Sequence, residues 1–258
     1  MNHSEKLTNA IDFLMWSYFN LTVADGNNLN NKILERCIKI AYLDATQQGA
    51  YNTSLNSDDM KNASKSAKDN AEKELRNQIN EYLTDTSMDF NEWHKNTCKE
   101  IQKIYAKVNN DTERFSYGNA QKWVNMTLKY VYLLYQLYDE FSHGCNFCKQ
   151  YKPLIESHSS SFHIPVDSFI IDVLWKDMEI KLPYRKKEYE TKRCKKYAHP
   201  SDYVKPWSQW SKQDYKKFQE SVHKSSNTDL KCSQLDWEGS KWIAEAQKRK
   251  NEKTKGEK

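Results

Sequence analysis

The chain has 258 residues, a low mean hydropathy of -0.98, and 40 Lys and Arg against 35 Asp and Glu, for a net charge of +5. No apolar run approaches the roughly 20 residues that a membrane-spanning helix needs, and the first twenty residues lack the order of a secretory signal, so we expect neither a membrane partner nor secretion. Six cysteines without such a signal are expected to stay reduced, which favours a cytoplasmic location. Eight Trp and sixteen Tyr can bury large areas despite the low hydropathy, and the scarcity of glycine and proline favours helices over sheets. We therefore expect an all-α, mostly helical protein, a single domain over residues 1–258 with two lobes.

The N-terminal third predicts two helices followed by a polar stretch. The first begins at about Ser4, and after the break at Asp25 and Gly26 a second helix covers Leu29 to Ala41. Residues 47–70 are rich in Ser, Asn, Lys and Asp and predict a surface loop, which leads into a solvated helix from Ala71 to Leu83.

The middle of the chain predicts the buried centre of the fold. Asp89 is expected to cap a helix, with Glu92 three residues later in a capping-box arrangement. Gly118 then leads into the most apolar helix of the chain, which we expect to be central. Residues 139–161 predict a polar insert after that helix.

The C-terminal part predicts three helices and two basic segments. Pro165 suits a helix start, so a short buried helix is expected from Val166 to about Met178. Residues 185–199 carry seven basic residues against two acidic ones. Helices are expected near 211–224 and 234–250, and residues 244–258 predict a frayed basic tail.

Lys122 and Asp167 each lie near the start of a predicted helix. A lysine is a nucleophile only as the free amine, and the positive end of a helix together with partial burial disfavours the ammonium form. A nearby carboxylate would take up protons and stabilise a developing sugar cation. Lys129 is the alternative nucleophile, because it would lie on nearly the same helix face as Lys122.

Two motifs resemble the helix-hairpin-helix DNA glycosylases, in particular the 8-oxoguanine glycosylase branch. The first is Gly118-Asn-Ala-Gln-Lys122 and the second is Ile164-Pro-Val-Asp167, so the resemblance covers about residues 114–178. It implies a helix-hairpin-helix element and a DNA repair enzyme, a hydrolase with lyase activity, that excises a modified base. Lys122 would attack the sugar and form a Schiff base, with Asp167 as its partner.

An enzyme of this kind extrudes the base and holds it by stacking and by hydrogen bonds. Side chains close to the two motifs are the candidates for that contact, and each could equally belong to the core or to a solvated helix face. The candidate substrate-binding residues are Gly118, Gln121, Trp123, Asn125, Phe162 and His163.

Binding to phosphates needs lysines and arginines along the nucleic-acid path. The residues expected to contact the backbone are Lys129, Arg185, Lys186, Lys187, Lys192 and Arg193, with backbone amides of residues 116–120 as a further anion site. Tyr184, Tyr189 and Tyr197, in and beside the 185–196 cluster, offer stacking surface. A charge run of this kind is also typical of a solvated face.

Cys145 and Cys148 have the spacing of half a zinc site, which a histidine or another cysteine could complete, although two reduced thiols are the preferred interpretation. No nucleotide-binding, dinucleotide-binding, zincin or serine-hydrolase motif is present, and no cofactor is expected.

The sequence therefore predicts a DNA glycosylase, with or without strand cleavage, that acts through Lys122 and Asp167. The alternative is a non-catalytic helical protein that binds nucleic acid or another partner. A scaffold for protein interactions unrelated to nucleic acid is a third interpretation.

Overall fold

The structure, a computed structural model, describes residues 3–27, 32–46, 58–85, 87–109, 115–142, 144–178, 199, 201, 204–229 and 233–256. Within these ranges the regular structure is helical and includes no strand, which confirms the all-α prediction. The α-helices there are α1 (His3–Phe19), α2 (Lys32–Ala45), α3 (Asp58–Thr84), α4 (Phe90–Asn109), α5 (Tyr117–Phe141), α6 (Asn146–His158), α7 (Ser168–Met178), α8 (Lys212–Asp229) and α9 (Gln234–Gly256). In the part of the chain so described, no helix is both long enough and apolar enough to span a membrane.

The chain divides into two compact units, each with its own core. The first unit comprises Met1–Phe115 and Asn119–Ser159, and the second comprises Ser116–Gly118 and Ser160–Lys258. Fully buried apolar side chains of the first unit include Leu21, Leu34, Leu75, Ile101, Tyr105, Trp123, Val131, Leu134 and Tyr138. Those of the second unit include Phe162, Ile164, Val166, Ile170, Leu174, Trp210, Phe218 and Val222.

Helix α3 begins at Asp58, so the surface loop expected over residues 47–70 is wrong for residues 58–70. Residues 47–57 lie outside the described part of the chain. Buried positions of this stretch are small residues, since Ser64 and Ala67 have almost no exposed surface. The carboxylates at Asp58 and Asp59 also suit the positive end of a helix.

Helix α4 starts as the sequence predicts. The carboxylate Oδ1 of Asp89 accepts a hydrogen bond of 2.9 Å from the backbone N–H of Glu92, so Asp89 is the N-cap. This cap fixes the start of a helix that supplies Ile101 and Tyr105 to the core of the first unit.

The segment expected as a polar insert, residues 139–161, contains helix α6. Its apolar side is buried in the first unit through Phe147, Tyr151, Leu154 and Ile155. Their helical spacing explains why this segment folds as an amphipathic helix, so the expectation of a polar insert is corrected.

Helix α7 begins later than expected, and helix α9 continues further than expected. Helix α7 begins at Ser168, two positions after the expected start. Helix α9 continues to Gly256, so the frayed tail expected over residues 244–258 is wrong for residues 244–256. Glu245 is 6% exposed and the Arg249 side chain is 16% exposed, which anchors the second half of α9 in the second unit.

Candidate functional site

Lys122 lies in the second turn of α5 and belongs to the first unit. Only 7% of its surface is exposed. Lys129, the alternative nucleophile, lies further along the same helix and is half-buried. The structure therefore places Lys122 in a more enclosed position than Lys129.

The amides expected to hold a substrate, Gln121 and Asn125, lie in a buried polar cluster of the first unit. His94 Nε2 donates to Asn125 Oδ1 at 2.8 Å, and Asn125 Nδ2 donates to Gln121 Oε1 at 3.1 Å. Burial lowers the pKa of His94 to about 4, against the opposing effect of the Asn125 hydrogen bond. His94 is thus neutral near pH 7, and the cluster joins α4 to α5.

Two aromatic residues expected to contact a base lie in the cores. Trp123 is fully buried in the first unit and donates its indole N–H to the carbonyl of Ile38 at 2.9 Å. Phe162 is fully buried in the second unit. A stacking role for either ring would require its core to open, and that role stays a prediction.

Gly118 makes a close backbone approach inside the second unit. A Cβ atom at this position would lie 2.2 Å from the carbonyl oxygen of Trp207 and 2.8 Å from Cα of Ser208. The hydroxyl of Ser116 also donates to the carbonyl of Ser208. The start of α5 therefore faces the backbone of residues 207–208, where the sequence suggested an anion site.

Asp167 caps α7, and both of its carboxylate oxygens accept hydrogen bonds in the second unit. Oδ1 accepts from the N–H of Ile170 at 2.9 Å, and Oδ2 accepts from the indole N–H of Trp242 at 2.8 Å. The Trp242 ring also packs on Phe169, with the centroids 4.8 Å apart. Lys122 and Asp167 belong to different units, so neither unit by itself brings the expected pair together.

His163 lies beside tyrosines in the second unit. Its Nδ1 atom is 2.8 Å from the hydroxyl of Tyr215, and the two rings meet edge to face. Tyr117 packs against the same Tyr215 ring, with the centroids 5.8 Å apart. The half-buried imidazole is thus held in one orientation by an aromatic neighbour.

A buried ionic cluster links α7 and α9 within the second unit. Asp172 has no exposed surface, and its Oδ2 accepts a 2.5 Å hydrogen bond from Nη2 of Arg249. Its Oδ1 accepts from the N–H of Ser201 at 2.7 Å. Arg249 also donates to the carbonyl of Ser168 at 3.0 Å and lies over the Phe169 ring, 4.2 Å from the centroid.

His199 and Glu245 complete this cluster. His199 Nδ1 is 3.2 Å from Asp172 Oδ2, and Glu245 Oε1 is 3.7 Å from Nε of Arg249. One ligand atom from each of Asp172, His199 and Glu245 lies within 4.8 Å of the others. Imidazole and carboxylate groups at this separation can ligate a divalent metal ion.

The Asp172 cluster is not among the sites that the sequence predicts. One signal was present, because Asp172 interrupts the apolar run from Phe169 to Leu174 on a helix expected to be buried. The basic residue that neutralises it could not be found this way, since Arg249 lies 77 positions later in a segment expected to fray.

Cys145 and Cys148 are buried free thiols in the first unit. Cys145 is the N-cap of α6, and its Sγ accepts the backbone N–H of Cys148 at 3.3 Å. Burial raises the pKa of Cys148 to about 12, and the neighbouring Cys145 contributes. The protonated thiol favours the interpretation as reduced structural cysteines.

Five of the six residues expected to contact a nucleic-acid backbone lie outside the described residues. These are Arg185, Lys186, Lys187, Lys192 and Arg193. They belong to the second unit by position in the chain.

Charge is distributed unequally between the two units. The second unit contains 22 Lys and Arg against 15 Asp and Glu, a net charge of +7. The first unit contains the remaining 18 basic and 20 acidic residues, a net charge of -2. The excess positive charge of the whole chain therefore resides in the second unit.

Comparison of the chain with protein-family models, curated proteins and solved structures finds no match. The resemblance to helix-hairpin-helix glycosylases therefore rests on the two short motifs alone.

Proposed function

We propose that the protein binds nucleic acid through its second unit. The observation that carries this proposal is the net charge of +7 on that unit against -2 on the first. Lysines and arginines that neutralise phosphates release counterions, and this term supplies most of the affinity for nucleic acid when sequence is not read.

Lysines on helices α8 and α9 can contact the phosphates. Lys216, Lys217, Lys248 and Lys250 are exposed on them. The basic residues of the 185–196 cluster, which are included in the net charge of +7, would contact phosphates as well. A cytoplasmic location with reduced cysteines, expected from the sequence, belongs to this proposal.

Charge-neutralised variants test the proposal with a matched control. Replacing Lys216, Lys217, Lys248 and Lys250 together by Gln removes four charges from the second unit. Replacing the exposed first-unit residues Lys61, Lys65, Lys103 and Lys107 by Gln removes the same number. We expect the first variant to bind a short duplex at least about 10-fold more weakly than the second. Equal affinities for the two variants would refute binding through the second unit.

Base excision by Lys122 is the catalytic form of the proposal. The observation that favours it is the enclosure of Lys122, of which 7% is exposed, because a nucleophilic lysine acts as the free amine and a shielded site favours that form. The amine would bond to the anomeric carbon of the sugar as the base leaves. Cleavage of the bond between that carbon and the ring oxygen, with a proton passing to the oxygen, would open the sugar and give an imine, which borohydride reduces to a stable protein–DNA bond.

Trapping with borohydride tests this chemistry. We expect a covalent adduct with a duplex that contains a damaged base or an abasic site, and we expect Lys122→Gln to abolish it while Lys129→Gln keeps it. Asp167→Asn tests whether Lys122 needs the Asp167 carboxylate as its partner, since Asn caps a helix as well as Asp does but lacks the charge. DNA binding without any adduct would instead support the non-catalytic alternative.

A further inference from the structure

The cluster of Asp172, His199 and Glu245 in the second unit brings two carboxylates and an imidazole together. The two carboxylates are buried, with exposures of 0% and 6%. Arg249 pairs with Asp172 at 2.5 Å and with Glu245 at 3.7 Å, and Lys248, whose side chain is 47% exposed, lies 3.8 Å from Glu245 Oε2. Buried carboxylates are held by paired charges or by metal ions. Three potential ligand atoms within 4.8 Å of one another are close enough to share one ion.

We propose that Asp172, His199 and Glu245 bind one Zn²⁺ ion. The ligand set of one imidazole nitrogen and two carboxylate oxygens is one that Zn²⁺ accepts, whereas Mg²⁺ and Ca²⁺ prefer oxygen alone. The charge of Zn²⁺ would interact favourably with the two buried carboxylates. Three protein ligands leave a fourth position for water.

The distances suit a small tetrahedral ion. Ligand atoms at about 2.0–2.2 Å from Zn²⁺ lie about 3.3–3.6 Å apart in a tetrahedron. His199 Nδ1 and Asp172 Oδ2 are already 3.2 Å apart, and all three ligand atoms lie within 4.8 Å of one another. The Glu245 carboxylate must move closer to the other two ligand atoms, which requires a rotation of its side chain. Its ion pairs with Arg249 and Lys248 are long, at 3.7 and 3.8 Å.

Arg249 becomes an outer partner of the metal ligand in this arrangement. A carboxylate oxygen has two lone pairs, so Asp172 Oδ2 can accept from Arg249 and still face the ion. Hydrogen bonds from the N–H of Ser201 and from Arg249 fix the Asp172 carboxylate in place. Metal ligands are commonly oriented by such outer hydrogen bonds. The ion would join α7, α9 and His199.

Titration of the EDTA-treated full-length chain with ZnCl₂ in a calorimeter tests the site. We expect saturable binding of one Zn²⁺ per chain and a higher melting temperature with the ion. His199→Gln is the cleanest variant, because the His199 side chain is 29% exposed and the Asp172–Arg249 pair stays intact. Its affinity for Zn²⁺ should fall by at least about 10-fold, as should that of Glu245→Gln.

His223→Gln is the matched control, because His223 is an exposed histidine of the same unit. It should bind Zn²⁺ like the unaltered chain. Co²⁺ identifies the ligand type, since thiolate ligands add an intense charge-transfer band in the near ultraviolet and nitrogen and oxygen ligands do not. No saturable binding, unchanged affinity in His199→Gln, or a thiolate band in the Co²⁺ complex would each overturn the proposal.

Discussion

Asp172 and Arg249, 77 positions apart, form a buried ion pair with a 2.5 Å hydrogen bond between α7 and α9. The carboxylate is fully enclosed and the guanidinium nearly so. Breaking a buried pair leaves an uncompensated charge, which costs more than the pair itself contributes. This pair therefore ties α9 to α7 within the second unit.

Loss of the guanidinium should destabilise the protein strongly. We expect Arg249→Gln to lower the free energy of unfolding by about 3–5 kcal/mol, measured by urea denaturation without added metal. The neighbouring variant Lys250→Gln removes an exposed charge from the same helix and should change it by less than about 0.5 kcal/mol. Similar stabilities for the two variants would show that the ion pair is not formed.

A methyl group at Gly118 should be poorly tolerated. Its Cβ would lie 2.2 Å from the carbonyl oxygen of Trp207, a contact with backbone that cannot easily move. We expect Gly118→Ala to lower the free energy of unfolding by about 3 kcal/mol. Gly239→Ala is the matched control, because Gly239 lies in helix α9 with nothing within 4 Å of its Cβ position, and it should stabilise by about 0.5–1 kcal/mol. Chemical denaturation measures the free energy of unfolding of both variants. Changes of the same sign in the two variants would contradict the close contact between Gly118 and Trp207.

Acid should destabilise the first unit through His94. Burial lowers the pKa of His94 to about 4, below the value of about 6.5 in the unfolded chain. As the pH falls, His94 therefore takes up its proton in the unfolded state before it does so in the folded state. The contribution of neutral His94 to the free energy of unfolding is complete above pH 6.5 and is lost as the pH falls from 6.5 towards 4. The loss should be on the order of 3 kcal/mol.

Unfolding curves recorded between pH 7 and pH 4 check the role of His94. His94→Gln removes the titrating group and should flatten the pH dependence over this range. His223→Gln removes an exposed histidine and should leave it unchanged. An equally steep profile in His94→Gln would assign the acid sensitivity to other groups.

Cys148 should resist alkylation in the folded protein. The thiolate is the reactive form, and burial raises the pKa of Cys148 to about 12, so little thiolate exists at neutral pH. We expect mass spectrometry to detect iodoacetamide on this residue only after denaturation. Rapid labelling of the native protein would show that Cys145 and Cys148 form an open, reactive pair.

The sequence predicts those helix features that depend on neighbouring residues. Asp89 and Glu92 lie three positions apart, so the N-cap of α4 follows from local hydrogen bonding. The surface loop expected for residues 58–70 is wrong because the buried face of α3 uses Ser64 and Ala67. These small residues do not produce the hydrophobic periodicity that predicts a helix.

The site could be predicted only in part, for the same reason. The start of α7 at Asp167 follows from a local pattern, whereas its bond to Trp242 depends on a residue 75 positions away. Likewise, periodicity cannot reveal that Arg249 neutralises Asp172. Such pairs are determined by the packing of α7 against α9.

The salt dependence of binding to a short DNA duplex tests whether the second unit neutralises phosphates. Fluorescence anisotropy should show that the logarithm of the binding constant falls linearly with the logarithm of the salt concentration, with a slope of about -0.9 for each phosphate contacted. We expect a slope that corresponds to several phosphates and that becomes shallower when Lys216, Lys217, Lys248 and Lys250 are replaced by Gln. The absence of binding to any nucleic acid at low salt, or a slope that these substitutions leave unchanged, would contradict the proposed function.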